Sequence, residues 1–127
     1  MPIELIRPQS IHKPTTYYSH GADTGDVVYT SGQAPHDDAG AVWDPADLAG
    51  HLRRPFVNAA RVLETAGTSF GNVVRMTILL RCVEHIELMW EIAIDYLGDN
   101  RPAVTVVTVP GLADSKYLIE IDAIAVK

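Results

Sequence analysis

The chain has 127 residues, with ten Lys and Arg against sixteen Asp and Glu, a formal charge of −6, 47% apolar residues and 20% charged ones. That is the length of one domain (1–127) and the composition of a globular one, which excludes a disordered or collagen-like chain. The acidic balance argues against a nucleic-acid partner or an anionic membrane surface, either of which would want a basic patch.

The single cysteine, Cys82, excludes a disulfide framework and a Cys-rich zinc site. No apolar run approaches the ~18 residues of a membrane span. The first residues carry Glu4 and Arg7 where a leader would have an apolar stretch, so a soluble, cytoplasmic protein is expected.

In chain order, residues 3–7 and 26–31 read as strands, and the Pro-, Thr- and Gly-rich stretch between them as loop, with a brief pairing possible at 17–20. After Ser31 the residues GQAPHDDAG have turn chemistry, and 41–43 can add a short strand. Asp44-Pro45 predicts a helix start, an acid at the N-cap followed by Pro at the first helical position. Leu48, Leu52, Phe56, Ala60 and Leu63 recur at spacings of three and four, and Gly67 ends the run. Pro55 inside this helix predicts a kink or a start nearer to it.

Residues 73–81 predict a strand and 84–97 a second helix, with Ile86, Trp90, Ala93 and Leu97 on one face. Residues 102–109 and 116–126 predict the last two strands. In both, each face of the alternation holds apolar residues. Two helices cover one side of such a sheet, so the other side needs a partner, and a homo-oligomer packed sheet to sheet is expected.

The residues offer few catalytic signatures. There is no P-loop, nucleophile elbow or dinucleotide fingerprint, and the five histidines show no metal-ligand spacing, so no metal is expected and each reads as a loop or surface residue. Cys82 reads as a buried, inert thiol. Arg101, between a helix end and a strand start, can hold a carboxylate with its planar fork or be a plain surface arginine. Glu120, mid-strand among apolar neighbours in YLIEIDAIAV, fits proton transfer, a structural ion pair or a water-facing position. Ser31-Gly32-Gln33 closes a strand with a turn where glycine permits close approach of a ligand. Tyr18 can lend a ring or a hydroxyl to a pocket.

Four stretches together resemble the Rid family, also called the RidA/YjgF or L-PSP family. They are YSHG from Tyr18 with GDVVYTSGQ from Gly25; NAARVLETAG from Asn58 with VVRMT from Val73; RPAVT from Arg101; and the closing run Tyr117–Val126. The resemblance implies an α/β chorismate-mutase-like plait, a mixed β-sheet with two helices packed on one face and trimerising through the other. It also implies pockets at the subunit interfaces of a homotrimer.

The activity implied is that of an enamine/imine deaminase, a hydrolase that turns reactive 2-imino acids into 2-oxo acids and ammonia without a cofactor. Arg101 matches the arginine that grips the substrate carboxylate, and Glu120 the glutamate that positions or activates water. Tyr18 and Ser31 match pocket residues, and Gly32 the adjoining turn. Ala103 stands where many members have Cys, Trp90 where they have Asn, and His51 where Gln is common. A non-catalytic binder of small carboxylates and a specialised catabolic deaminase of the aminomuconate type are the alternatives. The acidic charge weighs against a ribonuclease.

Overall fold

A computed structural model of the chain describes residues 2–14 and 16–127. The described strands are β1 (Glu4–Ile6), β2 (Gly21–Asp23), β3 (Val27–Thr30), β4 (Val73–Leu80), β5 (Ala103–Thr108) and β6 (Ile119–Val126). They form one mixed sheet in the order β1-β2-β3-β6-β4-β5. Two helices, α1 (Leu48–Thr65) and α2 (Ile86–Leu97), complete the α/β fold. Among the described strands only β4 and β5 run parallel. Their connection carries α2, as a parallel pair requires a crossover.

Register decides which side chains meet the helices. Across β4 and β6, Met76 faces Ala123, Ile78 faces Ile121 and Leu80 faces Ile119, and all six are buried. They share one core with Leu52, Phe56, Ala59, Val62 and Leu63 of α1 and Met89 and Ala93 of α2. The alternate residues lie on the opposite face, where Thr77 is paired with Asp122 and Leu79 with Glu120. There the Arg75 guanidinium donates to Thr105 Oγ1 at 2.6 Å. This second face mixes apolar, hydroxyl and charged groups, and the helices leave it uncovered.

The two helices, and β4 through β6, fall where the hydrophobic periodicity puts them, with no end shifted by more than three residues. Four details differ. Residues 21–23 form a strand paired on both sides, to β1 and to β3, whereas the sequence places any pairing at 17–20. The stretch 41–43 contributes a single bridge, between Val42 and His36.

The first helix begins at Leu48, neither at Pro45 nor near Pro55, and runs through Pro55. Asp44 makes a preceding turn by accepting from the Ala46 amide. Asp47 is the N-cap, accepting from the Gly50 amide and the Trp43 indole. A second acid three residues on, pinned by an indole, outcompetes the Asp-Pro signal. At the other end Gly67 adopts φ +87° and the Thr68 amide reaches Leu63 O at 2.9 Å, a left-handed stop as expected.

The fourth difference concerns two side-chain classes read as peripheral or inert. His20 and His51 are buried. His51 Nδ1 pairs with Trp43 O at 2.7 Å, and its Nε2 accepts from the Leu118 amide at 3.0 Å. That ring therefore joins α1 to the approach to β6. Cys82 is only partly buried.

Candidate active site

The end of β3 builds the floor of the site. Beyond Thr30 the chain stays alongside β6. Gln33 N donates to Ile121 O and Ile121 N donates to Gln33 O, while Thr30 Oγ1 accepts from the Ala123 amide at 3.0 Å. This pairing lays Gly32 beneath the Glu120 side chain: a Cβ on residue 32 would stand 2.5 Å from Glu120 Oε2 and 2.8 Å from its Cδ. The glycine serves the neighbouring carboxyl, and its φ is not in the left-handed region. Gly32 thus makes room for a side chain of its own chain, where the approach of a ligand is expected from the sequence.

Tyr18, Ser31, Gly32 and Glu120 line one cavity of about 340 Å³. Four of the sequence-derived site residues thus come together. The Ser31 amide donates to His20 O and the Ser31 hydroxyl to Ser19 O, which fixes the Tyr18–His20 stretch against β3.

Among the described residues no hydrogen bond or ion pair reaches the Glu120 carboxyl, and no Lys or Arg lines this cavity. Burial, with Asp122 two residues along, pushes Glu120 above the usual carboxylate range. A carboxyl so placed keeps its proton to higher pH than a free one, which suits it to proton transfer.

Five further lining residues carry function-bearing groups that sequence reasoning did not assign to the site: His12, His20, Gln33, His36 and Tyr117. His20 Nε2 meets His12 O at 2.6 Å and Gln33 Nε2 meets His20 Nδ1 at 3.3 Å. A carbonyl can only accept, so His20 Nε2 is the donor in this contact. The His12 ring sits edge-on to His36, with centroids 4.3 Å apart, and Tyr117 Oη lies 2.6 Å from His36 Nε2.

Helix α1 holds this wall. Arg54 Nε and Asn58 Nδ2 both donate to His36 O, at 2.7 and 3.1 Å. Burial and the neighbouring His36 and His20 rings take His12 down to about 4; burial likewise lowers His36. No local spacing announces this cluster, because its members come from three separate loops and meet only in the fold. Among the described residues no group of His, Cys, Asp and Glu is arranged to hold a metal ion.

Arg101 and Ala103 lie elsewhere. Arg101 lines a different cleft, of about 380 Å³, with Trp90, Ile94, Leu97, Asn100, Pro102 and Val104. Its Nη1 donates to Gly98 O at 2.8 Å and to Asn100 O at 3.2 Å. Among the described residues Nε and Nη2 have no partner, and they form one edge of the planar group, the pairing that matches a carboxylate. Ala103 opens β5 opposite Arg75 and lines neither space.

The family described as Endoribonuclease L-PSP matches residues 9–127. A RutC family protein of Pyrococcus horikoshii is 32% identical over 124 residues, covering 98% of each chain. The 2-iminobutanoate/2-iminopropanoate deaminase of Escherichia coli is 33% identical over 114 residues, 87% of each. The structure of E. coli TdcF with bound serine superposes with a TM-score of 0.88 at 28% identity, over 98% of both chains.

Proposed function

The chain belongs to the L-PSP, or Rid, family, and from that premise we propose that it is an imine deaminase, hydrolysing 2-imino acids and their enamine tautomers to 2-oxo acids and ammonia. The observation that carries the reading is Glu120: a partly buried carboxyl with a raised pKa, without a partner among the described residues, facing a cavity with Tyr18 and Ser31. Such a group takes a proton from water as the oxygen adds to the C=N carbon. It gives that proton to nitrogen, forming the amino alcohol, then takes the hydroxyl proton and passes it to the same nitrogen as the C–N bond breaks, so that ammonia leaves and a carbonyl remains. An imine is already electrophilic, so the protein supplies orientation and proton handling.

Arg101 is the counter-ion for the substrate carboxylate. It lines a cleft apart from the Glu120 cavity within one chain. We propose that a second copy, docked on the uncovered sheet face, brings its Arg101 to this chain's Glu120. A homotrimer with three such interfaces satisfies every copy, and Ala103, beside Arg101, would lie at that seam. The active unit needs no metal or cofactor in this scheme and works in the cytoplasm. No described helix is long and apolar enough to cross a membrane.

The acidic surplus and the lack of Lys or Arg among the described residues that line the Glu120 cavity favour a small anion held by one arginine over an RNA backbone. The test is ammonia release from 2-iminobutanoate generated in situ. The wild type accelerates it, and Glu120→Gln loses about 10²–10⁴-fold, the value of a positioned acid–base group. Binding of 2-oxobutanoate without any acceleration of hydrolysis would establish a carboxylate binder instead.

A further inference from the structure

The Arg101 cleft is built for more than a carboxylate. The α2 core face is Met89, Ile92, Ala93 and Leu97. Trp90 and Ile94 stand one turn apart beside that face, with Trp90 only partly buried and Ile94 56% exposed. With Leu97, Pro102 and Val104 they line the cleft. Its remaining polar side chain, Asn100, turns its amide inward to Phe70 O and Val73 O at 3.0 and 2.9 Å. The guanidinium is then the one charged group in an apolar cleft.

The guanidinium is also held in place. Gly98 turns the chain with φ +56°, and the carbonyls of Gly98 and Asn100 occupy Nη1. The free Nε–Nη2 edge is set without a substrate present, which lowers the ordering cost of binding.

Resting on the imine-deaminase reading, we propose that this cleft selects 2-imino acids with a bulky apolar or aromatic side chain, and that Trp90 is the specificity-determining wall. The carboxylate takes the Arg101 fork and the side chain lies against Trp90 and Ile94. A two- or three-carbon imino acid would leave the indole and Ile94 in water and gain nothing from them.

The test uses binding of the 2-oxo products, which needs no turnover. Calorimetry compares 3-phenyl-2-oxopropanoate and 4-methyl-2-oxopentanoate with 2-oxopropanoate. The wild type is expected to hold both larger acids about tenfold more tightly or better, the usual return on added apolar groups in a fitting pocket. Trp90→Ala brings the ratio towards one, Trp90→Phe keeps it, and Arg101→Ala weakens all three acids together. Equal affinities in the wild type, or a preference that survives in Trp90→Ala, overturns the proposal. Ammonia release from the matching imines is measured on the same preparations. If no imine is hydrolysed the deaminase reading fails, whereas the ratio of affinities judges the specificity alone.

Discussion

Gly32 lies directly beneath Glu120, so close that a methyl group there would overlap the carboxyl, at 2.5 Å from Oε2. Its backbone is in a region open to any residue. Gly32→Ala therefore separates function from stability. The carboxyl must swing away, and imine hydrolysis is expected to fall at least about tenfold. The fold is expected to hold or gain about 0.4–1 kcal/mol, because alanine restricts the unfolded chain. Parallel urea melts and ammonia assays check both.

Glu120 makes the same point from the other side. Its pKa is raised in the folded chain, so the ionised form costs stability at neutral pH. That cost is relieved as pH falls through the folded value. Glu120→Gln removes the charge. It is expected to melt at or above the wild-type temperature at pH 7, and to lose this advantage on acidification, while activity is lost. Thermal melts of both proteins at pH 7 and pH 4.5 measure it.

His12, at about 4 against its ordinary 6.5, gives the opposite slope. Its ring is taken out of water and lies near the His36 and His20 rings and the Arg54 guanidinium, with Asp37 opposing them, so a proton there is disfavoured. The unfolded chain accepts that proton and the folded chain refuses it. Stability is full above about pH 6.5 and declines as pH falls towards 4. The contribution is about 1–2 kcal/mol once solvent screening of a partly exposed ring is allowed for. Urea unfolding at pH 7.5 and 5 should show the loss in the wild type and a smaller loss in His12→Phe.

His51 is fully buried, with one ring nitrogen on a carbonyl and the other on an amide. His51→Ala orphans both groups and leaves a cavity, a cost of about 2–5 kcal/mol. His51→Gln offers a donor and an acceptor again and is expected to cost less than half as much. Chemical denaturation of the two variants checks the order.

Fold and site were unequally legible in the sequence. Helix α1 and the β4–α2–β5–β6 run could be read because their apolar residues recur with the period of the element that buries them. Residues 21–23 could not: Gly-Ala-Asp has no alternation, and the strand exists only because β1 and β3 flank it. Glu120 was conspicuous as a carboxylate inside an apolar strand. The histidine wall was not, since His12, His20 and His36 are joined by tertiary packing of loops held by Arg54 and Asn58. The reason for Gly32 needed register, because the side chain it makes room for is 88 residues away in the chain.

In the proposed assembly Glu120 of one copy works with Arg101 of another. Subunit mixing tests this most directly. Glu120→Gln and Arg101→Ala are each purified, assayed alone, then unfolded together and refolded at equal amounts. Each parent should be inactive. The mixture should recover about a quarter of wild-type imine hydrolysis, the share of heterologous interfaces that receive both intact residues by chance. A mixture as inactive as its parents, from chains shown to have co-assembled, would rule out a site shared between Glu120 and Arg101 of different copies.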